Sequence, residues 1–127
     1  RKLAESGWKG RVITAWRPDP VVDPEYEGFG DNLRQLATLT GRDTQGYDGY
    51  LQALRDRRRY FAAFGVTSTD HGHPTARTAN LGREEAEALF RRVTSAPASA
   101  QEAELFRAQM LVEMAQMSVE DGLVMEL

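Results

Sequence analysis

The sequence predicts an α/β fold in which parallel strands alternate with pairs of helices. Three observations carry that reading. Short β-branched runs recur three times along the chain, each bounded by glycine or proline. Two segments with helical apolar spacing lie between each successive pair of runs. Connections that long exclude hairpins and require parallel pairing through crossovers. The result is a β–αα–β–αα–β order in a layered α/β domain.

The elements follow in order. Arg1 to Gly7 reads as the tail of a helix with Gly7 at its stop. Arg11 to Trp16 is a short buried strand between Gly10 and Pro18. Pro18, Pro20 and Pro24 then predict an extended loop over Arg17 to Glu27. A helix is expected from Asp31 to Thr40, with Phe29, Leu33, Leu36, Ala37 and Leu39 on its apolar side and Gly41 as its end. The next helix spans Asp48 to Phe64, with Asp48 as N-cap and Leu51, Leu54, Phe61 and Phe64 facing inward. Gly65 stops it, and Val66 to Thr69 is the second strand. His71 to Asn80 is a loop. The helix from Arg83 to Val93 turns Ala86, Leu89, Phe90 and Val93 to the core, and Ser95 to Ala98 breaks it. Ser99 and Glu102 form a capping box for the last helix, which runs to Asp121. Phe106, Met110, Met114 and Met117 make its core stripe. Gly122 ends it, and Leu123 to Leu127 is the third strand.

Composition narrows the function. The 127 residues carry 41% hydrophobic and 28% charged side chains, which fits one globular domain rather than a disordered chain. There is no cysteine, so a disulfide framework, a thiolate zinc site and a thiol nucleophile are excluded for this segment. The net charge of −3 offers no footprint for nucleic acid or an anionic membrane. No apolar run is long enough to span a bilayer. Phosphate-binding loops, nucleophile elbows and His-Glu-x-x-His motifs are absent. Gly28-Phe29-Gly30 lacks the strand and the remaining glycine of a dinucleotide fingerprint. The Arg55-Asp-Arg-Arg-Arg59 run reads as a solvated helix face.

Chemistry in a parallel α/β sheet gathers beyond the C-terminal ends of the strands. The first strand ends in Arg17-Pro-Asp19 and the second in Asp70-His71-Gly72-His73. Arg17 can grip a carboxylate or phosphate, or it can pair with Asp19, Asp23 or Asp70 and only order loops. Asp70 and His71 suit proton handling; equally, Asp70 can cap a turn while His71 bonds to a carbonyl. His71 and His73 spell His-x-His, but a metal needs three or more protein ligands.

At these strand ends the sequence resembles the uronate (glucuronate) isomerases. Ile13-Thr-Ala-Trp16-Arg17-Pro18-Asp19 is similar to their aromatic-Arg-Pro-Asp strand end, and Thr69-Asp70-His71-Gly72 to their Asp-His-Gly strand end. Between them, Tyr50 to Arg55, Arg58 to Phe61 and Gly65 are similar to the helix leading into the second strand. The family is a divergent branch of the amidohydrolase superfamily, with a metal-centred (β/α)₈ TIM barrel. The resemblance implies an enzyme of the cytoplasm, a homo-oligomer, that interconverts D-glucuronate with D-fructuronate and D-galacturonate with D-tagaturonate. It implies that Arg17 binds the substrate carboxylate and that Asp70 and His71 stand on the catalytic rim. His73 departs from the family and receives no role.

The resemblance covers nearly all of this chain but a quarter to a third of a family member. The expectation is therefore a single partial domain, residues 1–127, internal to a longer enzyme and inactive alone. The divalent metal the family implies, zinc, would then be held by a His-x-His before Arg1 and an Asp after Leu127, with no ligand in this chain. Three strands cannot close a barrel of eight, and they leave two sheet edges and one face uncovered. Two other readings stand beside it: another metal-dependent hydrolase of that superfamily, or a non-catalytic α/β module whose open sheet pairs with a partner.

Overall fold

The structure is a computed structural model and describes residues 15–126. The helix tail expected over residues 1–7, the first four residues of the expected first strand and Leu127 lie outside the described residues.

Among them, three strands form one parallel sheet in the order β1-β2-β3: β1 is Ala15–Trp16, β2 is Ser68–Asp70 and β3 is Val124–Glu126. Five helices connect the strands: α1 Asp19–Val22, α2 Phe29–Thr40, α3 Tyr47–Ala63, α4 Arg83–Ser95 and α5 Ala100–Asp121. The alternation of strands with helical pairs stands, with one correction. The proline-rich stretch is not wholly extended, because α1 forms inside it. Pro20 sits in the first turn of that helix, where a missing N–H costs nothing.

Register sorts the sheet into two faces. Trp16, Thr69 and Met125 are cross-strand neighbours on one face, and Ala15, Ser68 and Val124 on the other. Trp16 and Met125 pack against the helical core, and Thr69 is fully buried. On the opposite face Ala15 is exposed and Val124 is 62% exposed. Among the described residues the helices thus cover one face of the sheet and no helix covers the other, where Ser68 is buried between the exposed Ala15 and Val124.

The core sits between the helices. Tyr50 stacks on Phe90 at 4.8 Å between ring centroids, with Tyr47, Phe106 and Phe29 around them. The methionine stripe of α5 is buried as its spacing predicts. So are Ala86, Leu89, Phe90 and Val93 of α4. The capping box is formed: the Ser99 hydroxyl accepts from the Glu102 N–H, and the Glu102 carboxylate accepts from the Ser99 N–H.

Several expected details shift. Asp48 lies in the first turn of α3, and Gly46 is the cap residue. Helix α2 begins at Phe29 rather than Asp31, and α4 continues through Ser95. Leu39 and Phe64 are largely exposed despite their helical spacing. The strongest correction concerns the arginine run. Arg58, within it, has no exposed surface. Its Nε and Nη2 donate to the two Asp121 oxygens at 2.5 and 3.0 Å, and Nη2 also donates to Ser118 Oγ at 2.8 Å. The arginine run therefore ties α3 to the end of α5, from which β3 departs.

Candidate active site

The two polar strand ends meet on the open side of the sheet. Ser68 and Asp70 point to one face and Thr69 and His71 to the other, as strand alternation requires. Asp70 therefore shares the face that no described helix covers with Val124 and with Glu126, its register partner on β3. Arg17 follows Trp16 and reaches the same side. Its Nε lies 3.5 Å from Asp70 Oδ2, with side-chain exposures of 64% for Arg17 and 41% for Asp70. That separation makes an ion pair but is too long for a strong hydrogen bond.

Asp19, at the start of α1, joins the same two strand ends. Its two oxygens accept from the Gly72 N–H at 3.0 and 3.1 Å. Of the three carboxylates that could have engaged Arg17, Asp70 is thus the partner. Asp23 turns elsewhere, to Arg107 Nη1 at 2.9 Å, and Glu25 accepts from the same nitrogen at 2.8 Å.

His71 is placed differently from its sequence neighbour. The ring is 3% exposed and lies on the covered face, with Nε2 2.8 Å from the Thr69 hydroxyl. Burial pushes its pKa down to about 4, helped by His73 and Arg58 and opposed by Asp70. It is a neutral imidazole near pH 7, not an exposed proton carrier. Its backbone N–H donates to the Glu126 carbonyl at 2.9 Å and so extends the pairing with β3. Burial also lowers the pKa of His73, whose ring centroid is 5.8 Å from that of His71. The loop that follows is pinned across α5: the Ala79 N–H donates to the Ala108 carbonyl at 3.2 Å, and the Leu81 N–H to Gln109 Oε1 at 2.8 Å.

Among the described residues, no three or more His, Asp or Glu side chains converge to hold a metal ion. The His71–His73 pair offers two imidazoles, one short of the three protein ligands such a site needs. No helix among the described residues is long and apolar enough to cross a membrane. The rim thus presents an exposed cation, Arg17, beside an exposed carboxylate, Asp70, with Glu126 in register. It can bind an anionic group and accept hydrogen bonds from hydroxyls. Asp19 and Glu126 are members that sequence reasoning left unassigned. The Arg-Pro-Asp triplet was the available signal for Asp19, and a strand end in register was the signal for Glu126.

The chain is similar to known proteins over nearly its whole length. A family model described as glucuronate isomerase matches residues 1–127. The chain is 63% identical over 125 residues to a uronate isomerase of Rhizorhabdus wittichii, covering 98% of this chain and 27% of that protein. It is 61% identical over 124 residues to a uronate isomerase of Sphingopyxis alaskensis, covering 98% and 26%. The crystal structure of glucuronate isomerase from Caulobacter crescentus superposes with a TM-score of 0.89 at 52% identity, over 97% of this chain and 26% of that one. A uronate isomerase from Thermotoga maritima superposes at 0.87 with 25% identity, over 98% and 28%. The chain spans about a quarter of the length of the relatives it matches. With its whole length matched by that model, and its sheet and helices superposing on solved members, the chain belongs to the glucuronate isomerase family.

Proposed function

We propose that this segment forms one wall of the active site in a uronate isomerase that interconverts D-glucuronate with D-fructuronate and D-galacturonate with D-tagaturonate. The observation that carries the reading is the placement of Arg17 and Asp70. Both stand at the C-terminal ends of parallel strands, on the face the helices leave open, and both are exposed. In a closed (β/α)₈ barrel that face is the interior and that end is the mouth.

The reaction moves a proton between C2 and C1 of the open-chain sugar acid. The C2 proton is removed, charge spreads over the enediolate, and a proton returns at C1. In this proposal Arg17 takes the substrate carboxylate. Its ion pair with Asp70 is long and exposed, so its donors can re-aim to a bidentate partner at little cost. Asp70 accepts from substrate hydroxyls and can pass their protons. His71 stays neutral beneath the strand and fixes the backbone on which Asp70 stands. The divalent metal, zinc on this reading, belongs to residues outside this segment.

The test is turnover by the full-length protein that carries this segment. Ketose formation from D-glucuronate or D-galacturonate supports the reading. Hydrolysis of esters, lactones or amides with no ketose product favours a hydrolase and overturns it.

A further inference from the structure

We propose that Asp19 is a positioning residue that sets the separation of Arg17 and Asp70 by clamping the backbone at Gly72. This rests on Arg17 as the anchor for the substrate carboxylate. The geometry is a closed ring. Arg17, Pro18 and Asp19 are joined covalently, Asp19 accepts from the Gly72 N–H, Gly72, His71 and Asp70 are joined covalently, and Asp70 pairs with Arg17. Of the two non-covalent links, the Arg17–Asp70 pair is long and exposed, and exposed pairs hold their partners weakly. The Asp19 link is charge-assisted and engages both carboxylate oxygens, at 3.0 and 3.1 Å. It is the link able to set the gap that a substrate carboxylate must enter.

The mount of Asp19 is rigid enough for the task. The Tyr50 hydroxyl, held in the aromatic core, donates to the Val21 carbonyl at 2.6 Å. The Asn32 amide donates to the Pro20 carbonyl at 3.0 Å. The Asp23 N–H returns to the Asp19 carbonyl at 3.0 Å, and the Asp23 carboxylate is held by Arg107. On the other side, the clamp needs glycine. A Cβ at position 72 would lie 2.7 Å from Asp19 Oδ2 and 3.5 Å from its Cγ, so the carboxylate would have to swing away. Asp19 and Gly72 therefore form one device, and either substitution should release it.

The experiment uses the full-length protein with a hexuronate as substrate. Misplacement of a binding group by an ångström costs on the order of 10–100-fold in kcat/KM. Asp19→Ala is expected to lose about that much, mainly as a rise in KM. Asp19→Asn keeps an acceptor oxygen and should return to within about threefold of the parent. Gly72→Ala should reproduce Asp19→Ala, and it carries the test if Asp19→Ala does not fold. In an Arg17→Ala background, adding Asp19→Ala should cost less than about threefold, because its effect runs through Arg17. Losses that multiply in the double variant, or failure of Asp19→Asn to recover activity, would overturn the proposal. So would a kcat/KM unchanged by Asp19→Ala and Gly72→Ala while Arg17→Ala is impaired. An unchanged Arg17→Ala enzyme would instead overturn the anchor reading on which the proposal stands.

Discussion

Replacing Asp121 by alanine should destabilise the protein far more than a helix-end position suggests. The Arg58 guanidinium is fully buried and two of its three hydrogen bonds go to Asp121, the third to Ser118. Burial alone would push the Asp121 carboxyl up. The hydrogen bond from Arg58 and the Leu123 N–H outweigh it and hold the group below the usual carboxylate range. Its contribution is therefore present above the unfolded pKa and is lost as pH falls through the folded one. Asp121→Ala leaves a cation in the core with one hydroxyl partner, which costs about 3–5 kcal/mol. Arg58→Met removes the charge and keeps most of the volume. Asp121 is partly exposed and still accepts from the Leu123 N–H at 3.0 Å. Among the described residues Arg58 Nη1 finds no partner, which reduces what the pair contributes. Arg58→Met should thus cost only about 1–2 kcal/mol. Urea titrations of the full-length protein at pH 7 with unchanged slope compare the variants. An Asp121→Ala cost below about 1 kcal/mol, or a larger cost for Arg58→Met, would refute the buried unpaired charge as the cause.

Stability should fall between about pH 6.5 and pH 4, because unfolded His71 binds a proton in that window and the folded ring, with its pKa near 4, does not. His71→Gln should flatten that slope by up to about 1.4 kcal/mol per pH unit, read from urea midpoints at two pH values; an unchanged slope contradicts the buried neutral ring. Tyr47→Phe should cost about 1–2 kcal/mol, because the Tyr47 hydroxyl donates to Glu113 at 2.6 Å at the edge of the core. The same titration checks it, and a neutral result would mean that Glu113 is satisfied by water. The 127-residue chain alone should show no uronate turnover and should associate through its open sheet, whose Val124 face is uncovered. Turnover with or without added zinc, or a cooperative monomer by light scattering, would contradict this.

What could be read from the sequence was mostly local. The Ser99–Glu102 box and the methionine stripe depend on neighbours three or four residues apart, and both stand as expected. The pairing of Arg17 with Asp70 was legible as one of three options, because strand ends converge in a parallel sheet. The rest needed distant partners. Arg58 lies within a run that looks solvated, and its acceptor is 63 residues away. His71 shared the rim in sequence, but its position beside Asp70 on a strand sends the ring to the opposite face. Helical spacing marked Leu39 and Phe64 as inward without saying how far the core extends to cover them. The loop reading of the proline-rich stretch missed α1 because proline in a first helical turn looks, in sequence, like proline in a turn.

The account turns on Arg17 as the group that holds the substrate carboxylate. Its most direct test is kcat/KM of the full-length protein and its Arg17→Ala variant on a hexuronate and on the corresponding neutral hexose. Loss of a charge-assisted contact predicts a fall of about 100-fold or more on the hexuronate. Any turnover of the neutral sugar should be unchanged. A hexuronate kcat/KM within about threefold of the parent, or an equal fall on both sugars, would contradict it.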